Sequence, residues 1–231
     1  MVDAYAVVIP AWNAADTIVE AITSLLSQDV PPTEVFVVDD GSTDDTARVV
    51  ATCQDTRVHL LRQSNRGPGA ATNHGLTRVT APNVAFLDAD DVWLPGKAAL
   101  QLQYLSDHPE VSGVCAWGRT FRGAAAHPEP VAETELWSRT TMMVRTADAR
   151  RIGDMIDPPG GRGDVIDWLA RARELGMRFD MMDVVLAMRR IRPGSLSYGR
   201  DTEKDRGYLE VVRRALERRR AREGGSGGSG A

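Results

Sequence analysis

Three short apolar runs in the first ninety residues each stop at a polar cluster. Tyr5–Ile9 stops at Pro10–Asn13, Val35–Val38 at Asp39-Asp40-Gly41-Ser42, and Asn83–Leu87 at Asp88–Asp91. Runs apolar at every position suit strands buried on both faces. Between them the period changes to that of a helix. Ala15–Gln28 puts Ile18, Ala21, Ile22, Leu25 and Leu26 on one face, Thr43–Cys53 follows with Ser42 or Thr43 placed to cap it, and Gly69–Val79 is a third helix. Val58–Arg62 and Val111–Ala116 read as further strands, and Lys97–Leu105 as a helix. This alternation predicts an α/β fold with a Rossmann-like, mostly parallel central sheet flanked by helices. Ligands of such sheets bind outside the carboxyl ends of the strands. A parallel arrangement therefore brings the three polar clusters to one edge, which makes that edge the candidate active site.

The later pattern is weaker. Ala124–Pro130 reads as a loop, Thr140–Val144 as a strand and Asp157–Gly163 as a Pro/Gly-rich loop. Val165–Glu174 is an amphipathic helix, Val184–Met188 a strand, Arg192–Ser197 a polar turn and 203–222 a last helix. The expected division is a first half over 1–118, a second half of the same domain over 119–222, and a flexible Gly/Ser linker or tag over 223–231.

Composition removes several classes. The 231 residues suffice for one domain with a substantial core, and 42% apolar with 26% charged residues is ordinary for a globular chain. A net charge of −4 gives no basic field for nucleic acid. The six arginines of Arg213–Arg222 read as the solvated face of a terminal helix. Cys53 and Cys115 stand far apart in no metal spacing, which suits a reducing cytoplasm. The start lacks a signal-peptide pattern, and no apolar run approaches the roughly 20 residues of a membrane span. Monomer and oligomer are equally open.

Three constellations carry chemistry. Alternation along an extended Asp88-Ala89-Asp90 puts the two acids on one side. Nearby carboxylates repel unless a cation lies between them or one is protonated. Mg²⁺ is commonly held by one or two carboxylates plus substrate phosphates. The plainer reading is an acidic, helix-capping turn, and it loses weight because Asp39 and Asp40 end a second strand of the same sheet. Those two acids suit hydrogen bonds from a base N–H or a ribose hydroxyl. The loop Asn65-Arg66-Gly67-Pro68-Gly69 offers glycines, a cation and a helix start, a set that favours a diphosphate. It is not Gly-x-Gly-x-x-Gly and does not follow the first strand, which disfavours a dinucleotide fold.

Together these residues resemble the family-2 glycosyltransferases of the GT-A fold. The matching segments stand in that family's order: Val7-Val8-Ile9-Pro10-Ala11-Trp12-Asn13, Val37-Val38-Asp39-Asp40-Gly41-Ser42-Thr43-Asp44, Asn65-Arg66-Gly67 through Asn73, and Leu87-Asp88-Ala89-Asp90-Asp91-Val92-Trp93-Leu94-Pro95. The resemblance implies transfer of a sugar from a nucleotide-sugar donor, with UDP favoured, 1–118 being the nucleotide-sugar-binding half and 119–222 the acceptor and catalytic half of the same GT-A domain. It places Pro10, Trp12 and Asn13 around the base, and Asp40 with Asp39 on the base or ribose. Asn65, Arg66 and Gly67 lie beside the diphosphate. Asp88, with Ala89, falls at the ribose or sugar, and Asp90, assisted by Asp88, on Mn²⁺ or Mg²⁺. Most such enzymes invert the anomeric carbon in one displacement, with a base on the acceptor.

Two departures follow from the same alignment. The family often has Glu-Asp before an amphipathic helix, the aspartate being the base. Here Asp164 falls at the glutamate and Val165 at the aspartate. The base is then Asp164, Asp167 or absent; the alternative roles are an N-cap for Asp164 and a first-turn acid for Asp167. The family's histidine in Arg-x-His-x-x-Ser is Arg192 in Arg190-Ile191-Arg192-Pro193-Gly194-Ser195. Arginine does not ligate metals, but it clasps diphosphates bidentately. Trp117 and Trp137 suit either sugar stacking or the core. A nucleotidyltransferase is disfavoured because Pro10-Ala11-Trp12-Asn13 stands where its Gly-rich signature belongs. A degenerate nucleotide-sugar-binding module is the competing reading. The acceptor, whether glycan, lipid-linked sugar, small molecule or peptide side chain, is not legible.

Overall fold

Residue alternation along the first strand sets the layers. The computed structural model describes residues 4–192 and 202–225. In β1 (Tyr5–Ala11) every residue is buried. Tyr5, Val7 and Ile9 enter one apolar cluster, and Ala6 and Val8 enter another on the opposite face. The first cluster is closed by α1 (Ile18–Leu26), through Ile18, Ala21, Ile22 and Leu25.

β2 (Glu34–Asp40), α2 (Thr46–Ala51), β3 (Val58–Gln63), α3 (Pro68–Leu76) and β4 (Asn83–Phe86) complete the alternation. β1 pairs in parallel with β2 and β4, and β2 with β3. The parallel order β3-β2-β1-β4 sets the carboxyl ends of these strands along one edge. That is the arrangement the three apolar runs predict. The ends of α1 and α2 lie inside the expected bounds because capping turns occupy the flanks.

Beyond β4 the sheet becomes mixed. β5 (Val92–Trp93), α4 (Lys97–Asp107), β6 (Val111–Arg122) and β7 (Glu129–Leu136) lead to a single 3-10 turn, Arg139–Thr141. β8 (Met143–Arg145), α5 (Thr146–Ile152), α6 (Asp164–Glu174), β9 (Arg178–Arg190) and α7 (Thr202–Gly225) follow. β8 runs antiparallel to β4, with Ala85 opposite Met143, so the chain entering β8 arrives at the edge where β4 ends. β9 pairs in parallel with β6 and antiparallel with β5.

Several expectations are corrected here. Thr140–Val144 is the 3-10 turn followed by β8 rather than one strand. β7 lies partly in the stretch read as a loop; it is exposed along its length, so no apolar alternation announces it. α5 and β5 had no sequence signal strong enough to be named. The boundary expected at residue 118 falls inside β6.

The second face is covered by α3, α5 and α6, with Ala71, Ile152, Trp168 and Leu169 in its cluster. Trp168 is fully buried and donates from Nε1 to Gly153 O at 2.8 Å. Truncating a tryptophan so enclosed costs about 3–5 kcal/mol. No helix among the described residues is long and apolar enough to cross a membrane. The Gly/Ser tail beyond 225 and the turn from Pro193 to Ser197 lie outside the described residues.

Candidate active site

The ends of β1 and β2 are joined by side chain to backbone hydrogen bonds. Asn13, at φ +48°, donates its N–H to Ser42 Oγ at 3.0 Å and accepts from Thr43 N at 2.9 Å. Ser42 and Thr43 therefore serve the loop and do not cap α2, as the sequence had suggested. The residue before α2 is Asp45, and Thr46 N donates to Asp44 Oδ1 at 2.9 Å. Asp39 is buried; its Oδ1 accepts from Ser42 N at 3.1 Å, and Arg62 Nε lies 3.4 Å from Oδ2.

Asp40 spends both oxygens on its own chain. Oδ1 accepts from Gln63 Nε2 at 2.8 Å and Arg66 N at 2.9 Å, and Oδ2 accepts from Gly67 N at 2.8 Å. Three donors on one carboxylate fix the 63–67 loop against β2. Gly41, at φ +70°, permits this approach, because a Cβ there would stand 2.7 Å from Asn65 N. Pro10 is buried within β1, whereas Trp12 is 56% exposed and Asn65 and Arg66 are exposed.

The acids after β4 form a turn, closed by Asp91 N donating to Asp88 O at 3.0 Å. The expected extended alternation of Asp88 and Asp90 is thus replaced by a bend, with Ala89 buried inside it. Asp91 is structural: Oδ2 accepts from Thr140 Oγ1 at 2.5 Å and Oδ1 from Arg190 N at 2.8 Å. Arg190 also donates from Nε to Asp90 O at 2.8 Å and pairs with Glu20. Asp90 Oδ2 lies 3.3 Å from Arg192 Nε, which joins the residue at the family's histidine position to the acidic turn.

Burial and the neighbouring Asp88 raise Asp90 above the usual carboxylate range, against the pull of Arg192. Burial, then Asp90 and Asp88, raise Asp91 further. A cation beside this turn would relieve both. The described residues contain no cluster of three or more metal-ligating side chains. The turn offers Asp90 and Asp88 alone, which fits a hard cation completing its shell with phosphate oxygens.

A second element, α6, brings another carboxylate to the acidic turn. Asp164 is its first helical residue, and Gly163, at φ +105°, takes the N-cap position that one reading gave to Asp164. The link to the donor side is Arg139, 7% exposed, which sequence reasoning did not single out. Its Nε donates to Asp88 Oδ1 at 2.9 Å and its Nη1 donates to Asp164 Oδ2. Burial opposes its charge, but Asp164 and Asp88 outweigh burial and hold it protonated. No local signal marks this arginine; only the antiparallel placing of β8 beside β4 delivers it.

Asp167 is the other base candidate. It is 1% exposed, and its carboxylate accepts from Arg171 Nε at 3.0 Å and from Arg218 Nη1 at 2.9 Å on α7. It belongs to the α6–α7 contact. Arg218 correspondingly departs from the solvated face expected of the terminal arginines, pairing also with Glu174 at 2.9 Å. Trp137 packs against the second apolar cluster under the Arg173 guanidinium, 5.6 Å from its ring centre.

Comparison with known proteins shows the family and the fold. The profile of glycosyl transferase family 2 matches residues 6–158. An uncharacterized glycosyltransferase of Rickettsia conorii is 37% identical over 103 residues, 44% of this chain and 17% of that protein. The succinoglycan biosynthesis protein ExoU of Rhizobium meliloti is 45% identical over 94 residues, 39% of this chain and 27% of its own. The Escherichia coli UDP-Glc:alpha-D-GlcNAc-diphosphoundecaprenol beta-1,3-glucosyltransferase WfaP is 33% identical over 100 residues, 43% of this chain and 40% of its own. The matched segment thus spans less than half the length of each of these relatives. Among solved structures, S. aureus TarS 1-349 in complex with UDP-GlcNAc superposes with a TM-score of 0.73 at 22% identity, covering 92% of this chain and 65% of that one. The mannosyltransferase PcManGT from Pyrobaculum calidifontis, in complex with GDP-Man and Mn2+, gives a TM-score of 0.67 at 22% identity, covering 84% and 59%. With the match extending over most of the parallel half and its acidic turn, the chain belongs to glycosyl transferase family 2 and has the GT-A fold.

Proposed function

We propose that this chain transfers a sugar from a nucleoside-diphosphate sugar, with UDP favoured, to an acceptor hydroxyl or similar nucleophile by a single inverting displacement. The observation that carries this reading is the Arg139 bridge between carboxylates of two separate elements. Asp88, in the turn after β4 that also holds Asp90, and Asp164, on α6, meet on the same guanidinium. A displacement with inversion needs that division: charge stabilisation on the leaving side and a base on the attacking side.

Asp164 takes the proton of the acceptor O–H as its oxygen bonds to the anomeric carbon. The bond from that carbon to the diphosphate oxygen breaks, and the nucleoside diphosphate leaves with the electron pair. Arg192, beside Asp90, supplies a guanidinium suited to the departing diphosphate. Asp90 and Asp88 would hold Mn²⁺ or Mg²⁺, which when bound neutralises charge on the leaving group. Trp12, exposed at the end of β1, offers a face for the base. The 63–67 loop, ordered by Asp40, borders the donor.

The E. coli relative's UDP-Glc donor and the UDP-GlcNAc bound by the TarS structure support a UDP-sugar. That relative's diphosphoundecaprenol acceptor supports a lipid-linked or other glycan acceptor. The two free cysteines, one buried and one half-buried, fit a reducing cytoplasm.

The test is calorimetric titration with UDP and GDP, with Mn²⁺ and with EDTA, on wild type and Asp90→Ala. The expected result is metal-dependent binding of UDP that Asp90→Ala abolishes. Binding that survives both EDTA and Asp90→Ala removes the metal from the reading and leaves the arginines as the diphosphate clamp. Folded protein that binds neither nucleotide overturns the reading.

A further inference from the structure

Arg139 is a buried cation whose two partners come from separate elements of the fold. One end of its guanidinium holds Asp88, in the turn after β4; the other holds Asp164, the first residue of α6. The neighbouring Thr140 fastens the same 3-10 turn to Asp91 at 2.5 Å, and Thr140 O accepts from Trp93 Nε1 at 2.9 Å. The turn carrying Arg139 is thereby fixed to the acidic turn on two sides. Asp164, by contrast, follows a Pro/Gly-rich loop, and Gly160, Gly161 and Gly163 on that approach all have positive φ. Its carboxylate accepts from Arg139, a partner outside its own segment.

A buried charge costs several kcal/mol unless it is paired and hydrogen-bonded. An apolar side chain in this space would leave the buried Asp164 carboxylate without its counter-charge. What the forked guanidinium provides is two hydrogen-bonding ends at fixed separation.

We infer that Arg139 is the positioning residue of the transfer reaction, yoking the acceptor-side carboxylate of Asp164 to the donor-side carboxylate of Asp88 so that the base faces the anomeric carbon. This rests on Asp164 being the base. Arg139 exchanges no proton with the reactants; it acts through Asp164. Errors of about 1 Å in such a geometry cost on the order of 10²-fold in rate. Lysine, a point charge on a flexible stem, would hold one carboxylate but not bridge two.

The test is a double-mutant cycle on the full chain: Arg139→Gln, Arg139→Lys, Asp164→Asn, and each arginine variant combined with Asp164→Asn. The readouts are UDP release from a UDP-sugar, with water or an added glycan as acceptor, UDP affinity by calorimetry, and thermal melting. The expected result is a kcat lowered about 100-fold in Arg139→Gln and about tenfold in Arg139→Lys, each with donor KM and UDP affinity within about threefold of wild type. In the Asp164→Asn background either arginine change should alter kcat by less than about threefold, because the group being positioned is gone. A merely structural role would give equal losses in both backgrounds, and that result overturns the inference. So does a kcat loss matched by lost UDP affinity, or an unchanged kcat in Arg139→Gln. If Arg139→Gln does not fold, Arg139→Lys carries the same cycle. Wild-type kcat in Asp164→Asn overturns the base assignment and this inference together. An inactive Asp164→Asn beside fully active arginine variants overturns this inference alone. A wild type that binds UDP but releases none from any UDP-sugar overturns both the transferase reading and this one.

Discussion

The carboxylate of Asp157 caps the start of α3: Oδ1 accepts from Gly69 N and Oδ2 from Ala70 N, each at 2.8 Å. The pair joins the loop that leads to Asp164 with the helix that follows the nucleotide-side loop. It also occupies the helix N-terminus that the sequence had offered to a diphosphate. A second contact supports the junction, since Asn73 Nδ2 donates to Met155 O and Met155 N donates to Asn73 Oδ1, both at 2.8 Å.

Asp157→Ala should destabilise the protein by about 1–2 kcal/mol, the usual cost of a lost helix cap. Chemical denaturation at neutral pH measures it. Gly69→Ala should cost at least as much, because a Cβ there would stand 2.9 Å from the Asp157 carboxylate. Stability of both variants equal to wild type would remove the cap from the account.

Lys97 makes a pH-dependent prediction. Its side chain is fully buried at the start of α4, 3.8 Å from the centre of the Trp93 ring, with Nζ donating to Gln101 Oε1 at 2.6 Å. Burial pulls its pKa from 10.5 to about 7. Between those values the unfolded chain holds the proton and the folded chain does not. Stability therefore rises with pH through that window, and the full cost of the buried charge is present below about pH 7. Lys97→Met should flatten this slope. Denaturant midpoints of the two proteins at pH 6.5 and pH 9.5 should converge as pH rises, with wild type gaining on the variant by on the order of 2–4 kcal/mol. Parallel profiles would show that the lysine keeps its proton in the fold.

Asp167 and Asp164 should separate cleanly. Asp167→Asn weakens two guanidinium contacts within the α6–α7 interface, at Arg171 and Arg218. The expected loss is about 1–3 kcal/mol of stability, with kcat within about fivefold of wild type. Asp164→Asn should do the reverse, lowering kcat by roughly 10²–10⁴-fold as removal of a general base does. Thermal melting and UDP-release assays on both variants decide the assignment, and a catalytic collapse in Asp167→Asn would reverse it.

Much of the parallel half was legible in the sequence. Tyr5–Ile9, Val35–Val38 and Asn83–Leu87 are largely apolar and end at polar residues, a pattern that suits buried parallel strands alternating with helices. Asp39, Asp40 and the Asp88–Asp91 turn could be placed on one edge from that pattern. β7 was not legible because an exposed edge strand such as Glu129–Leu136 carries no buried face to mark it. Nor was the bend at Asp88–Asp91, since its closure depends on Thr140 and Arg190 arriving from elsewhere.

The sequence by itself determined the layered α/β architecture and the edge at which chemistry can occur, because hydrophobic period and strand-end polarity are local properties. The tertiary structure alone decided what each acid does. Asp40 orders a loop, Asp91 is a buried anchor, Asp157 caps a helix, Asp167 pairs across two helices, and Asp164 meets Asp88 through Arg139. A carboxylate's role is set by the donors within about 3 Å of it. Here those donors come from segments tens of residues away, brought together by the antiparallel entry of β8 beside β4 and the packing of α6 and α7.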